Sequence, residues 1–570
     1  MKHNKLLACL VAAMSIVTMS ACGPTSNPTS TPSVDPTVDP TVEPTTTPTT
    51  APTTSTIGPN EGEKTNADFQ YARTTYLDDE GNEWPLTRNT LYTNSGDPHL
   101  DSTQPQRVLV IPVGFNNPAY ADIQTPEKIK QIETTFFATD EEMANLGGWK
   151  SVASYYTQAS YGKAKFEGKV AQSWMIWQGQ ENSSDCSGVN AANRGVEWYK
   201  TEYEKENHGA LGADAEPLSY FDANKDGYID LVWIVYSHPT TDVNGFWAYV
   251  TYTSNRPGTS NNPVAKTLGY ASIDWMEKKF NGYDAHTYIH ETGHTFGLDD
   301  YYCYKNAWSP FGKVDMMDSN SGDHNAYSKF SLGWVNPLIV DDSAFITLRS
   351  TTLTGDCFVL PSTNYNGTAF DEYLMVEFVT PEGLNEQDYN NVSQSGAGYA
   401  TPGIRVSHVD ARVYNSQCTR DSYLIDNPED GLDVRIGNTR GGRQSIKSDG
   451  DYWPSAQGST TGKYMAHLTL IQSTFDTEKN VLTEANFVAD SNALFKKGDR
   501  LNFTGAWAST FMPSGTNLWN KAKSITSWVG SAQNFEVDES MTIDYSLRVM
   551  NIEKVNGEYI AQVRVTKTAK

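Results

Sequence analysis

"YIHETGHTFGLDDYY", Tyr288–Tyr302, gathers two histidines, two glycines, one glutamate and two aspartates into fifteen residues. The spacing predicts a helix beginning near Asp284, a residue type suited to N-capping. On that helix Ala285, Tyr288, Ile289, Thr292 and Phe296 form a stripe that faces a core. His290 and His294 lie one turn apart on another face, so both imidazoles can point at one ion, and Glu291 beside them can reach a water held there. Gly297 lets the chain leave the helix through a left-handed turn. Asp300 then stands where a third ligand returns, with Asp299 as the neighbouring alternative. His286 lies one turn back on roughly the same face, although a fourth protein ligand would close the site to water.

In full the pattern is H-E-x-x-H-x-x-G-x-x-D, carried by His290, Glu291, His294, Gly297 and Asp300. Five fixed positions at this spacing arise by chance on the order of once in several thousand chains of ordinary composition. Two imidazoles and a carboxylate suit Zn2+ and leave a fourth position to water, whose pKa the ion lowers toward neutrality. Glu291 is then placed to take the proton from that water as it attacks a carbonyl, and to pass it to the leaving amine. A second metal signal is "DANKDGYID", Asp222 to Asp230, in which Asp222, Asn224, Asp226, Tyr228 and Asp230 offer oxygens around Gly227 in the manner of a Ca2+ loop. The twelfth position is Trp233 rather than glutamate, which rules out a full EF-hand, and an Asx-rich turn entering a strand is the alternative.

The 570-residue chain exceeds what one core usually supports. Its aromatic share of 12% argues against wholesale disorder, and a formal charge of −25 excludes nucleic acid as an expected partner. "MKHNK", an apolar run and "SACG" read as an export signal over residues 1–21, too short to be a membrane span. Residues 22–60 are a Pro/Thr-rich stalk whose composition favours an extended chain over a core. Residues 61–106 are read as a pro-segment or N-terminal extension. Cys186, Cys303, Cys357 and Cys418 remain beyond the signal, without zinc-ribbon spacing and with no pairing that the sequence specifies.

"RVLVIPVGF" from Arg107 and "LVWIVYSH" from Leu231 read as buried strands, with helical spacing in "EKIKQIETTFFATDEEMANL" and "SVASYYTQASYGKA" between them. From about Ala344 the pattern becomes short alternating runs parted by Gly, Asn, Asp and Ser. The expected architecture is therefore α+β, with 107–340 as the metal-bearing domain and 341–570 as a β-rich sandwich region.

These motifs together resemble the immune inhibitor A family of secreted bacterial zinc metallopeptidases, which is metzincin-like. The helix motif carries the resemblance, with "SVASYYTQASYGKAKFEGKV" before it, "VDMMDSNSGDHNAYSKFSLGW" after it, and "DEYLMVEFVTPEGL" and "GIRVSHVD" beyond. It implies proteolysis with His290, His294 and Asp300 as zinc ligands, Glu291 as base and Met317 as the methionine-turn residue beneath the metal, although "DMMD" leaves Met316 as an alternative. His324 and Tyr327 lie near that turn, with assistance to substrate or oxyanion binding as one reading and a surface or core role as the favoured one. "MSAC" before Gly23 resembles a lipoprotein processing box, so Cys22 is expected to carry a lipid as the only membrane attachment. The expected protein is a monomeric cell-surface hydrolase acting on extracellular proteins or peptides. Its rivals are a surface adhesin or glycoprotein-binding protein on an inactivated protease-like fold, and a zinc amidase. Retention of all four motif residues favours the peptidase.

Overall fold

The computed structural model describes residues 57–568 except 78–79, 88–99, 241–244, 299, 303–310, 364, 392–397, 412–413, 416–431, 434–467, 474–487 and 504–542. The export signal, the stalk as far as residue 56, Cys22, Asp299, Cys303 and Cys418 lie outside these residues. Cys186 and Cys357 are both buried free thiols. No described helix is long and apolar enough to cross a membrane.

The two apolar runs become β1 (Gln106–Phe115) and β4 (Leu231–Tyr236), neighbours in a six-stranded sheet with β2 (Phe166–Val170), β3 (Met175–Trp177), β5 (Tyr249–Tyr252) and β6 (Thr267–Ser272). The order is β2-β1-β4-β6-β5, with β3 also pairing β1. All pairings are parallel except that of the edge strand β5, which runs antiparallel to β6. Every residue of β4 is buried, because helices cover both faces and leave no face for polar side chains. Val110, Trp233 and Val235 cluster with α1 (Pro126–Phe137) and α2 (Val152–Ala159) on one face. Ile111, Val113 and Ile234 cluster with α3 (Gly188–Tyr203) on the other. The helical run after Pro126 ends at Phe137, where Thr139 caps a second helix, Asp140–Leu146, through a capping box with Glu142. The first face also carries α4 (His286–Thr295), whose Tyr288 and Ile289 pack on that same core.

Beyond residue 337 two larger sheets form among the described residues. One is β7-β9-β10-β11-β12, from Leu338–Ile339, Cys357–Pro361, Glu372–Val379, Gly403–Asp410 and Leu468–Ile471. The other is β8-β15-β14-β13, from Ala344–Arg349, Glu558–Lys567, Tyr545–Val555 and Arg500–Phe503. Asn556 and Gly557, with φ of 53° and 91°, close the β14–β15 hairpin in the left-handed conformation that Asn-Gly tolerates. Leu374, Val376 and Phe378 of β10 share a cluster with Ile346, Leu547 and Val563 of the other sheet. Tyr373, Met375 and Val379 point the opposite way, into the cluster that holds Tyr288 and Ile289 of α4. Strand β10 is therefore buried along its whole length, and the apolar core of α4 continues into the β-rich half.

Residues 57–73 run along this β-rich half. Glu63 takes both guanidinium contacts of Arg564, at 2.7 and 3.0 Å. The Asn66 side chain brackets the backbone of Thr347, accepting from its N–H at 2.9 Å and donating to its carbonyl at 2.8 Å. Backbone bonds join Phe345 to Lys64, Ile339 to Gln70 and Ala72 to Pro337. Further on, the Leu100 N–H donates to the Thr295 carbonyl at the end of α4. This segment thus bridges the β-rich half and the back of α4. Deleting residues 57–77 is expected to lower the melting temperature by about 5 °C or more, since it strands several backbone groups and a partly buried ion pair. Calorimetry checks this, and a shift of under about 1 °C would show that the segment contributes nothing to the fold.

Candidate metal centre

Helix α4 starts two residues later than the sequence suggests. Asp284 nevertheless acts at its N-terminus, its Oδ1 accepting the His286 N–H at 3.1 Å. The expected stripe is fully buried, but so is nearly every other residue of the helix, including His290 and Glu291. A polar group buried on such a helix needs a partner from another element. For the two histidines these partners are backbone carbonyls: His290 Nδ1 lies 2.7 Å from Met316 O, and His294 Nδ1 lies 2.7 Å from Leu298 O. Each Nδ1 is thereby the donor, which leaves Nε2 as the nitrogen open to a ligand or a proton.

Both Nε2 atoms converge on Asp300 Oδ1, at 2.9 Å from His290 and 3.5 Å from His294. The imidazoles stand edge to face, at 90°. Gly297, with φ of +86°, makes the turn that brings Asp300 back. Among the described residues His290, His294 and Asp300 are the one group of three or more His, Cys, Asp or Glu whose ligand atoms all lie within 4.8 Å of one another. Burial by itself disfavours charge on these groups, yet their mutual attraction outweighs it. The His294 pKa is held up at about 10, and the Asp300 carboxyl is held far below the usual carboxylate range. A divalent cation is chemically suited to the same place, because it satisfies the carboxylate and both lone pairs without a proton on either imidazole. Burial raises the Glu291 pKa, against the opposing charges of His294 and His290.

Met317 packs against α4 at Gly293. A Cβ built on Gly293 would stand only 2.6 Å from its sulfur, so glycine is what allows this close approach. Met317 O accepts the Tyr301 N–H at 2.8 Å, next to Asp300, while Met316 supplies the carbonyl that holds His290. The two methionines of "DMMD" thus have separate places in the geometry. His286 is fully engaged elsewhere, with Nδ1 2.6 Å from Asp284 and Nε2 3.0 Å from Asp388, and does not reach the Asp300 cluster. His324 and Tyr327 are buried, His324 among the rings of Tyr155, Tyr156 and Trp334.

The Asp222–Asp230 loop is an Asx-rich turn. Asp222 accepts the N–H groups of Asp226 and Gly227, Asn224 accepts that of Asp226, and Asp226 accepts that of Tyr228. Asp230 spends one oxygen on the Ala223 N–H and the other on the Arg107 N–H, tying the turn to the first residues of β1. These carboxylates are not gathered as the histidines and Asp300 are, so calcium finds no support in the loop. Sequence reasoning missed the carbonyls of Met316 and Leu298, which carry no sequence signature. It also missed the Tyr302 hydroxyl bonded to Asp300, and Asp388.

No curated protein matches the chain. The motif resemblance names the immune inhibitor A peptidases, whereas the family whose sequence profile matches is gametolysin peptidase M11, over residues 107–399. That span takes in β1, the whole of α4, Asp300, both methionines and strand β10. It covers more than half of the 570 residues, and the chain belongs to this family of metallopeptidases.

Proposed function

We propose that the protein is a zinc-dependent metalloendopeptidase, exported and held at the bacterial cell surface, that hydrolyses peptide bonds of extracellular proteins. The observation that carries this reading is the convergence of two tautomer-fixed Nε2 atoms on one Asp300 oxygen, with Glu291 adjacent on the same buried helix turn. Two imidazoles and one carboxylate are the donor set of a catalytic zinc with a place left for water. The family match supports peptide-bond hydrolysis, and the motif resemblance to the immune inhibitor A peptidases supports zinc as the metal.

His290, His294 and Asp300 would hold the ion. When bound, zinc supplies a Lewis acid that polarises the scissile carbonyl and acidifies the attacking water. Glu291 accepts the proton of that water on a carboxylate oxygen and returns it to the nitrogen of the leaving amine. Its burial suits both tasks, because a carboxylate with a raised pKa takes a proton more readily near neutrality. The Met316 and Leu298 carbonyls keep the Nδ1 protons in place, so that neither imidazole turns its lone pair away. Tyr302 donates to Asp300 and limits its rotation.

The export signal and "SACG" support delivery to the surface with Cys22 lipidated, and the Pro/Thr stalk spaces the folded part from the membrane. Glu291→Gln is expected to keep one zinc per chain while lowering kcat/KM on denatured casein by about 10²–10⁴-fold. A variant that cleaves like the wild type would remove Glu291 from the base role. Chelation should lower the melting temperature and abolish cleavage, with zinc restoring both. Wild type that holds zinc but cleaves no protein would favour the amidase or adhesin reading. Cys22→Ala should move the protein from the membrane fraction to the medium, and unchanged membrane retention would refute lipid anchoring at that residue.

A further inference from the structure

His286 opens α4 one turn before His290, and its imidazole is clamped from four sides. Nδ1 lies 2.6 Å from Asp284 Oδ1, and Nε2 lies 3.1 and 3.0 Å from the two oxygens of Asp388. Trp149 stacks on one face at 4.0 Å and 9°, and Phe280 on the other at 5.4 Å and 16°. Asp388 belongs to a short helix, Glu386–Asn391, that follows β10, 102 residues beyond His286. The same carboxylate accepts the Gly322 N–H at 2.6 Å, and Asn385 beside it accepts the Asp323 N–H at 2.9 Å. Tyr389, next along, donates to the Val314 carbonyl at 3.3 Å. One segment after the β-rich strand therefore grips the start of α4 and both flanks of the Met316–Met317 turn, whose Met316 carbonyl sets the His290 tautomer.

We infer that Asp388 is a positioning residue for the metal centre, which through His286 and Gly322 fixes α4 and the methionine turn relative to each other. A buried ion pair of this kind is weak evidence for stability, since apolar groups of similar volume often serve as well. What it does supply is orientation, because an imidazole held at both nitrogens and on both faces has no free rotation. Burial disfavours charge on His286, but Asp388 and Asp284 outweigh it and hold the pKa at about 10, so the ion pair persists at neutral pH. The inference rests on the reading of His290, His294 and Asp300 as metal ligands.

The test compares Asp388→Asn with Glu372→Gln in the full-length chain. Glu372 is the buried partner of His408 Nε2 at 2.9 Å in the β10–β11 ladder and serves as a matched control away from the methionine turn. Amide hydrogen exchange over 286–295 is measured in the metal-free protein, and zinc release to a chelator in the loaded one. Asp388→Asn is expected to raise exchange in α4 and to speed zinc release about 10–100-fold, while Glu372→Gln does neither at a similar loss of melting temperature. His286→Gln, approaching the clamp from its other side, should behave like Asp388→Asn and takes its place if that variant does not fold. Unchanged exchange and release, or equal effects from Glu372→Gln, would overturn the inference. Wild type that binds no zinc would instead overturn the metal assignment, and exchange over α4 alone would still decide whether Asp388 positions the helix.

Discussion

The structure depends on one constraint: the helix that carries the candidate metal ligands is buried on nearly all sides, so its polar side chains must be satisfied by groups that other elements bring to them. Two backbone carbonyls take the Nδ1 protons of His290 and His294. Asp284 and Asp388 take both nitrogens of His286. A solvated helix with the same sequence would let each imidazole turn freely between partners in water. Here each ring has one orientation, and a converging pair of Nε2 atoms is the result.

The apolar core, too, is continuous across the point where the chain's pattern changes from mixed to β-rich. The core beneath α4 takes in Tyr373, Met375 and Val379 from β10, whose other face belongs to the cluster between the two later sheets. The helix after β10 contributes Asp388 and Asn385 to the methionine-turn loop. The segment at residues 57–73 ties the β-rich half together before the chain reaches the back of α4. The family match ends at residue 399, just beyond the Asn385 and Asp388 contacts.

Buried charge in this region is arranged in pairs. Lys329 meets Asp323 at 2.6 Å and Arg405 meets Glu377 at 2.8 Å, each pair almost fully enclosed. Such pairs add little net stability over apolar replacements, but breaking one of them leaves an uncompensated charge. Together with the His286 clamp they favour a single arrangement of the loop between Val314 and Asn325, and that loop holds the residues under the helix.

The sequence by itself determined the candidate metal-site residues and two strands of the parallel sheet. His290, Glu291, His294, Gly297 and Asp300 were legible because helical periodicity and a left-handed glycine turn are local properties, fixed by spacing of a few residues. The strands at Gln106–Phe115 and Leu231–Tyr236 were legible because continuous β-branched runs have few other uses. The Asp222–Asp230 loop shows the limit of local reading, since a turn and a cation loop share both the residue types and the backbone bonds to the first aspartate. Only the tertiary structure decided that His286 serves Asp284 and Asp388, that Met317 rather than Met316 lies against Gly293, and that β10 faces two cores. Those outcomes join residues distant in the chain, 102 positions apart for His286 and Asp388 and more for Leu374 and Val563, or rest on main-chain carbonyls that every residue possesses, so no sequence pattern could mark them.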